Sequence, residues 1–287
     1  MGTYVVTGSA SGMGKSVADA LREQGHTVIG VDRDGGEVTA DLSTASGRRA
    51  AITEILDLLD GRIDGAVLAA GLGPARGRER TIIEVNLLGV VEVLEALRPL
   101  LAATDKAKVV VFGSNSTTAT PFVPPRLIRR LLRGDLDAAT AMIRRRGPRL
   151  SGPIAYASSK IAVTRWSRMV GTSADWAGAG IRVNVIAPGP VMTPLLRTQL
   201  DGANSANVRS FPIPIREYGT SEQLASWVMQ MLSPAADFMS GTVITVDGGT
   251  EALLRGADWP RPVPLHRVPA VLWRMYRAPK KGQVARY

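Results

Sequence analysis

Tyr156 and Lys160 stand four residues apart in Tyr-Ala-Ser-Ser-Lys, a spacing that stacks a phenol and an ammonium on one helix face. An ammonium beside a phenol stabilises the phenolate and lowers its pKa from about 10 toward neutrality, which would make Tyr156 a general acid/base near pH 7. Such pairs also arise by chance on exposed helices, so the pair gains meaning only from its company. Upstream, Thr7-Gly-Ser-Ala-Ser-Gly-Met-Gly14 forms a glycine turn between an apolar run and a helical pattern. Gly8, Gly12 and Gly14, with Ser11 and Met13 between them, would let the backbone approach a pyrophosphate lying on the helix N-terminus. Asp32 closes the second apolar run, 18 residues beyond Gly14. A carboxylate there accepts both adenosine ribose hydroxyls and repels a 2′-phosphate, so the expected cofactor is NAD, with NADP less favoured. Arg33 alone argues the other way, because an arginine could pair with that phosphate.

These residues need elements to position them. Thr3–Thr7, His26–Asp32, Gly65–Ala70, Lys108–Ser114, Ile181–Ala187 and Thr242–Val246 read as strands rich in β-branched residues. Helical patterns over Gly12–Gln24, Ser46–Leu59, Ile82–Ala102, Pro153–Trp176 and Ser221–Leu232 alternate with them. Apolar strands joined by helical crossovers predict an α/β fold: a doubly wound, Rossmann-type parallel sheet covered on both faces. Ser114 would then sit at the end of a central strand, where ligands of such sheets collect. The long helix from Ile82 is apolar on more than one face, from Val85 and Leu88 to Val90 and Val93, which fits a subunit interface and a homo-oligomer, dimer or tetramer.

Composition narrows the classes of function. At 287 residues and 45% hydrophobic, the chain fits one large globular domain. No apolar run reaches the roughly 18 residues that span a bilayer, and Thr3 to Val6 reads as a strand instead of a leader, so the cytoplasm is the expected compartment. The absence of cysteine excludes thiolate metal sites and cysteine nucleophiles. His26 and His266 are the only imidazoles, too far apart in sequence to suggest a metal cluster or a Ser/His triad, and no metal is expected. The net charge of +10 is uneven: residues 115–150 and 251–287 carry +6 each, leaving −2 for the remainder. Neither basic segment holds a nucleic-acid motif, so no nucleic-acid partner is expected.

Taken together, the glycine pattern at 7 to 14, Asn86, Ser114 and Tyr156 with Lys160 resemble the short-chain dehydrogenase/reductase family across residues 3 to 250. Asp41-Leu42 resembles the family's adenine-contacting pair, Ala69-Ala70-Gly71 stands where it often has Asn-Asn-Ala-Gly, and Pro188-Gly189-Pro190-Val191-Met192-Thr193 resembles its nicotinamide-holding stretch. Glu37 to Arg48, Ala70 to Pro74 and the gap between Ser114 and Tyr156 are similar to the bacterial hydroxysteroid dehydrogenase/carbonyl reductase branch. The resemblance implies an oxidoreductase that interconverts a secondary alcohol and a ketone, on hydroxysteroids or similar apolar substrates. In it, Ser114 and Tyr156 bind the substrate oxygen, Tyr156 exchanges the proton, Lys160 holds the tyrosine and the nicotinamide ribose, and Asn86 helps a water chain reach the lysine. Cofactor contacts are implied for Asp41, Leu42, Ala70, Gly71, Pro188, Gly189, Val191 and Thr193. Two other readings stay open: a broad carbonyl reductase of xenobiotic aldehydes and ketones, and a non-catalytic NAD sensor that binds an acidic partner.

Three segments depart from the alternation. Ser114 and Tyr156 are 42 residues apart, where most of the family has about a dozen. Within 115–150, Leu127, Ile128, Leu131 and Leu132 recur among arginines, and Ala138, Met142 and Ile143 follow Gly134, which predicts a helical hairpin near the site mouth. A solvated basic subdomain is favoured there over direct substrate contact. The loop 188–220 carries Met192, Leu195, Leu196, Phe211 and Ile213, an apolar lid suited to a bulky substrate. Beyond a domain spanning 1–255, the 256–287 extension has Pro260, Pro262 and Pro264 as a stiff linker. Val268, Val271, Leu272, Met275 and Tyr276 then form a helical stripe near Trp273. That stripe is expected to dock on a neighbouring subunit, with an anionic membrane surface as the alternative.

Overall fold

The computed structural model describes residues 1–202, 209, 211–258, 262–279 and 283. Seven strands, β1 (Thr3–Thr7), β2 (Thr27–Asp32), β3 (Val38–Thr39), β4 (Gly65–Leu68), β5 (Lys108–Phe112), β6 (Arg182–Pro188) and β7 (Val243–Val246), form one parallel sheet in the order β3-β2-β1-β4-β5-β6-β7. Register aligns the carboxyl ends: Thr7 pairs with Val31 and Leu68, Leu68 with Val111, and Phe112 with Ile186. The order reverses between β1 and β4, which opens the crevice where such sheets bind ligands. Six of the strands were expected; β3, a two-residue edge strand, was not.

Alternation along each central strand supplies both cores. Val5, Val109 and Val111 enter one, with α2 (Ala45–Asp57), α4 (Gly89–Ala102) and α8 (Ser151–Val170). Val6, Val110 and Phe112 enter the other, with α1 (Gly12–Glu23) and α10 (Ser221–Leu232), where Val17, Leu21, Leu224 and Val228 are buried. Ser151–Val170 ends earlier than the expected Trp176. At Gly171 the chain passes so close to the Val183 carbonyl that an added Cβ would lie 2.8 Å from it.

Two expectations are corrected. The long helix from Ile82 is not continuous: α3 (Glu79–Ile83) runs into a π-helical turn, Glu84–Leu88, before α4. Val85, Val90 and Val93 are buried within the single chain, while Leu88 is only partly covered. The insert is not a solvated subdomain. After the short α5 (Ser116–Ala119), its hairpin of α6 (Pro125–Leu132) and α7 (Leu136–Arg144) packs on α8 and α3. Leu127, Ile128, Leu131, Leu136, Ala139 and Ile143 join the main core while the arginines stay outside.

The loop 188–220 contributes α9 (Pro194–Asp201), capped by Thr193, whose hydroxyl accepts from the Leu196 N–H. Residues 203–208 and 210 of that loop and Pro260 of the linker lie outside the described residues. After α11 (Thr250–Arg255), the extension forms α12 (Val268–Arg277), which has no buried residue. No helix among the described residues is long and apolar enough to cross a membrane.

Candidate active site

The site is built where β5 ends. Its strand residues are buried, the Gly113 N–H donates to Ile186 O (2.7 Å) and the Asn115 N–H to Pro188 O (2.9 Å), which fixes the backbone on either side of Ser114. The Ser114 hydroxyl accepts from the Ser116 N–H (3.1 Å) and lies close enough to the Tyr156 phenol to draw its pKa down. Although 42 residues separate them in sequence, α8 brings the phenol to the serine, and one turn on it brings Lys160. Lys160 is 6% exposed and donates from Nζ to Phe112 O at 2.7 Å.

The electrostatics differ from the expectation of a lowered tyrosine pKa. Burial raises the Tyr156 phenol above its ordinary value, and only the neighbouring Ser114 hydroxyl pulls it back. Burial also lowers Lys160 to about 8. The reason is geometric: the ammonium is engaged by the Phe112 carbonyl, and both groups have lost water.

Asn86 lies on the π turn and is fully buried. Its Oδ1 accepts from the Leu72 N–H (2.8 Å), and its Nδ2 donates to Leu72 O (3.0 Å) and Ser159 Oγ (3.1 Å). Ser159 in turn donates to Tyr156 O (2.7 Å). Asn86 therefore ties the loop after β4 to the helix that carries Tyr156. A π turn at such a place is common at functional sites, since one extra residue re-aims a side chain.

A cleft at the β1/β4 crossing collects Gly8, Ser11, Gly12, Met13, Gly14, Asp32, Asp41, Leu42, Ala70, Gly71, Thr193 and Leu195. Its glycines are dictated by space: a Cβ on Gly8, where φ is +73°, would lie 2.7 Å from Ala70 N, and one on Gly14 would lie 2.1 Å from Gly8 O. Ser11 caps α1 in an extended conformation without a side-chain hydrogen bond, which leaves the leading N–H groups without a side-chain acceptor. The Asp32 carboxylate accepts from the Ala10 and Asp34 N–H groups (3.0 and 3.2 Å). At the other end, a Cβ on Gly71 would lie 3.3 Å from Asn86 Oδ1 and 3.5 Å from Lys160 Nζ, so the cleft reaches the catalytic candidates. A glycine-cradled helix N-terminus with an acidic ribose-side residue fits a dinucleotide.

Pro188, Gly189, Val191 and Met192 do not line this cleft. Gly189 packs so tightly that a Cβ would meet Asp247 at 2.6 Å, and Val191 is buried beside Gly219. Leu195 is half-exposed at the cleft while Leu196 is buried. The insert does not line it either.

Sequence reasoning missed Arg48 and Arg78. Arg48 is buried on α2, bonded to Glu92 (2.8 Å), Leu42 O (3.0 Å) and, at 3.6 Å, to Glu84 of the π turn. It links Leu42, on the wall of the cleft, to the turn that bears Asn86. Arg78 lines the cleft, and its charge helps to hold the Asp41 carboxyl below the usual range, after the stronger hydrogen bonding from Ser43. Neither stood out, because the sequence around each reads as an ordinary charged surface.

A parallel dinucleotide-type sheet with a Ser–Tyr pair and a buried lysine at its carboxyl edge defines an oxidoreductase class. Comparison with known proteins places the chain within it. Residues 3–123 match the family model described as short chain dehydrogenase, and residues 139–251 that described as enoyl-(acyl carrier protein) reductase. A 3-alpha-hydroxysteroid dehydrogenase/carbonyl reductase of Comamonas testosteroni is 35% identical over 89% of this chain and 98% of its own length. A crystal structure of the 3-alpha-hydroxysteroid dehydrogenase from Pseudomonas sp. B-0831, complexed with NADH, is 36% identical with a TM-score of 0.83, over 88% of this chain and 98% of that one. A coniferyl-alcohol dehydrogenase of Pseudomonas sp. (strain HR199 / DSM 7063) is 29% identical over 85% of this chain and 94% of its own. The chain belongs to the short-chain dehydrogenase/reductase family and is an NAD(P)-dependent oxidoreductase of CH–OH groups.

Proposed function

We propose that the protein interconverts a bulky apolar secondary alcohol, of hydroxysteroid type, and its ketone, with NAD as cofactor. The observation that carries this is the meeting at the cleft's end of Ser114 from the end of β5 with Tyr156 and, one turn along α8, the buried Lys160. Bound nicotinamide supplies or accepts the hydride at the carbinol carbon. Ser114 orients the substrate oxygen and Tyr156 gives or takes its proton. Lys160, one turn on, would hold the nicotinamide ribose, and Asn86 and Ser159 hold the helix in place. Gly8, Ser11, Gly12, Met13 and Gly14 would hold the pyrophosphate, and Asp41, Leu42, Ala70 and Gly71 the adenosine side and approach. Pro188, Gly189, Val191 and Thr193 would frame the nicotinamide end.

NAD is favoured over NADP by charge. Asp32 presents a carboxylate to the ribose position, and Arg33 is already bound to Asp34, at 3.2 and 2.7 Å. An apolar substrate is favoured by the lid: Leu195 and Gln199 of α9 crowd Gly73, where a Cβ would lie 3.1 and 2.7 Å from them. Met192 and Leu196, which precede and follow Leu195 in the same segment, would add apolar surface on the substrate side. A homo-oligomer is favoured at the far sheet edge, where β7 has no fully buried residue and Trp227 and Phe238 are exposed. We assign 1–255 to the catalytic domain and 256–287 to an extension.

NADH fluorescence over a panel of hydroxysteroids, simple secondary alcohols and xenobiotic ketones, repeated with NADP, tests the substrate and cofactor together. Tyr156→Phe should keep NAD binding and lose about 10²–10⁴-fold in turnover. Near-normal turnover in that variant would remove the acid/base assignment. Equal rates across unrelated ketones would favour the broad carbonyl reductase that the Comamonas relative's name includes.

A further inference from the structure

The extension is an addition to a fold that is complete without it. The family models end at residue 251, and the Comamonas relative is matched over 98% of its own length by 89% of this chain. Beyond Asp258 the sequence has seven Lys and Arg and no Asp or Glu. At about 100° per residue, Val268, Val271, Leu272 and Met275 of α12 share one side, while Arg267 before it and Arg274 and Arg277 within it share the other. Leu272 and Met275 are 59% and 67% exposed, and Leu265, in the one-turn helix that leads in, is 89% exposed. Trp273 lies on the arginine side, about 40° round the helix from Arg277, whose guanidinium is 5.7 Å from its ring. The Gln283 side chain donates to Thr172 O (2.8 Å), which ties the far end of the segment back to the body near the end of α8.

We propose that α12 docks the enzyme on an anionic lipid bilayer. Leu265, Leu272 and Met275 would enter the acyl boundary, and Arg267 and Arg274 beside the stripe would meet the lipid phosphates. An apolar stripe and a wholly cationic polar face are what such a surface selects. Charge decides against a second copy of this chain seated tail to tail, since a two-fold contact would set seven cations against seven.

The test uses the full chain and phosphatidylcholine vesicles with or without about 30% phosphatidylglycerol. Co-sedimentation should require the anionic lipid and weaken in about 0.5 M salt. Leu272→Glu/Met275→Glu should lower the bound fraction roughly tenfold, with soluble-substrate turnover and oligomeric mass unchanged. Equal binding to neutral vesicles, or equal binding by the variant, would overturn the proposal. So would a variant that changes the mass of the oligomer in solution while leaving vesicle binding as it was, because the stripe would then be a subunit contact.

Discussion

The insert at 115–150 and the segment 251–287 carry the same net charge, +6, and mix arginine with apolar residues in the same way, yet their fates are opposite. The insert buries Leu127, Ile128 and Leu131 to within 2% of full burial, whereas every residue of α12 retains exposure. Charge does not separate them. The insert is held at both ends, by β5 and by α8, so closing its hairpin costs little extra chain entropy and its stripe meets the open faces of α3 and α8. The extension is joined to the fold at one end only, its far end returning through the single Gln283–Thr172 hydrogen bond, and its stripe meets no open apolar face. An amphipathic basic segment is thus a core element or a surface element according to what apolar surface the rest of the chain leaves within reach.

The strongest way to break this comparison is to remove the insert's anchor. Leu131 is 2% exposed among Leu127, Ile128 and the core, so Leu131→Ala should cost about 3 kcal/mol, read as a lowered urea midpoint. Turnover should fall with it at intermediate urea, because the hairpin braces the helix that carries Tyr156. If the variant unfolds with the wild type, the hairpin is a solvated appendage after all.

What the sequence made legible is what local spacing controls. The glycine turn, Asp32 at a strand end, Ser114 at the next and the Tyr156–Lys160 pair each depend on a few neighbouring residues, and the alternation that orders them depends on period alone. What stayed hidden depends on distant partners. The π turn exists because Asn86 closes on Leu72 and Ser159, and Arg48 is buried only because Glu84 and Glu92 come to it from another helix. The direction of the Tyr156 shift was misread for the same reason: spacing puts an ammonium near the phenol, but the Phe112 carbonyl, contributed by β5, decides where it points.

A smaller effect sharpens the contrast at the insert's polar seam. Glu79 is 3% exposed; its Oε1 accepts from Ser151 Oγ (2.8 Å) at the start of α8, and Arg144 of α7 lies 3.6 Å from Oε2. Burial by itself pushes the carboxyl up, but the hydrogen bonds from Ser151 and the backbone, with the Arg144 charge, outweigh it and hold the pKa below the usual 4.5. A depressed carboxylate stabilises the fold above the unfolded-state pKa, and that contribution is lost as pH falls through the folded value. Glu79→Gln should therefore cost on the order of 1 kcal/mol at pH 7, and the gap between the two urea midpoints should close in acid. A gap that does not vary with pH would mean that the seam works through shape alone.

The smallest effect is expected in the extension, and it is the other half of the comparison. Leu272 and Met275 face no core, so Leu272→Glu/Met275→Glu should leave the urea midpoint of the lipid-free chain unchanged within about 0.5 kcal/mol. The same two leucine-sized side chains would cost several times that if they were seated as Leu131 is. A loss approaching that of Leu131→Ala would mean that α12 is docked on an apolar surface in solution, and the two basic segments would then differ only in which surface they cover.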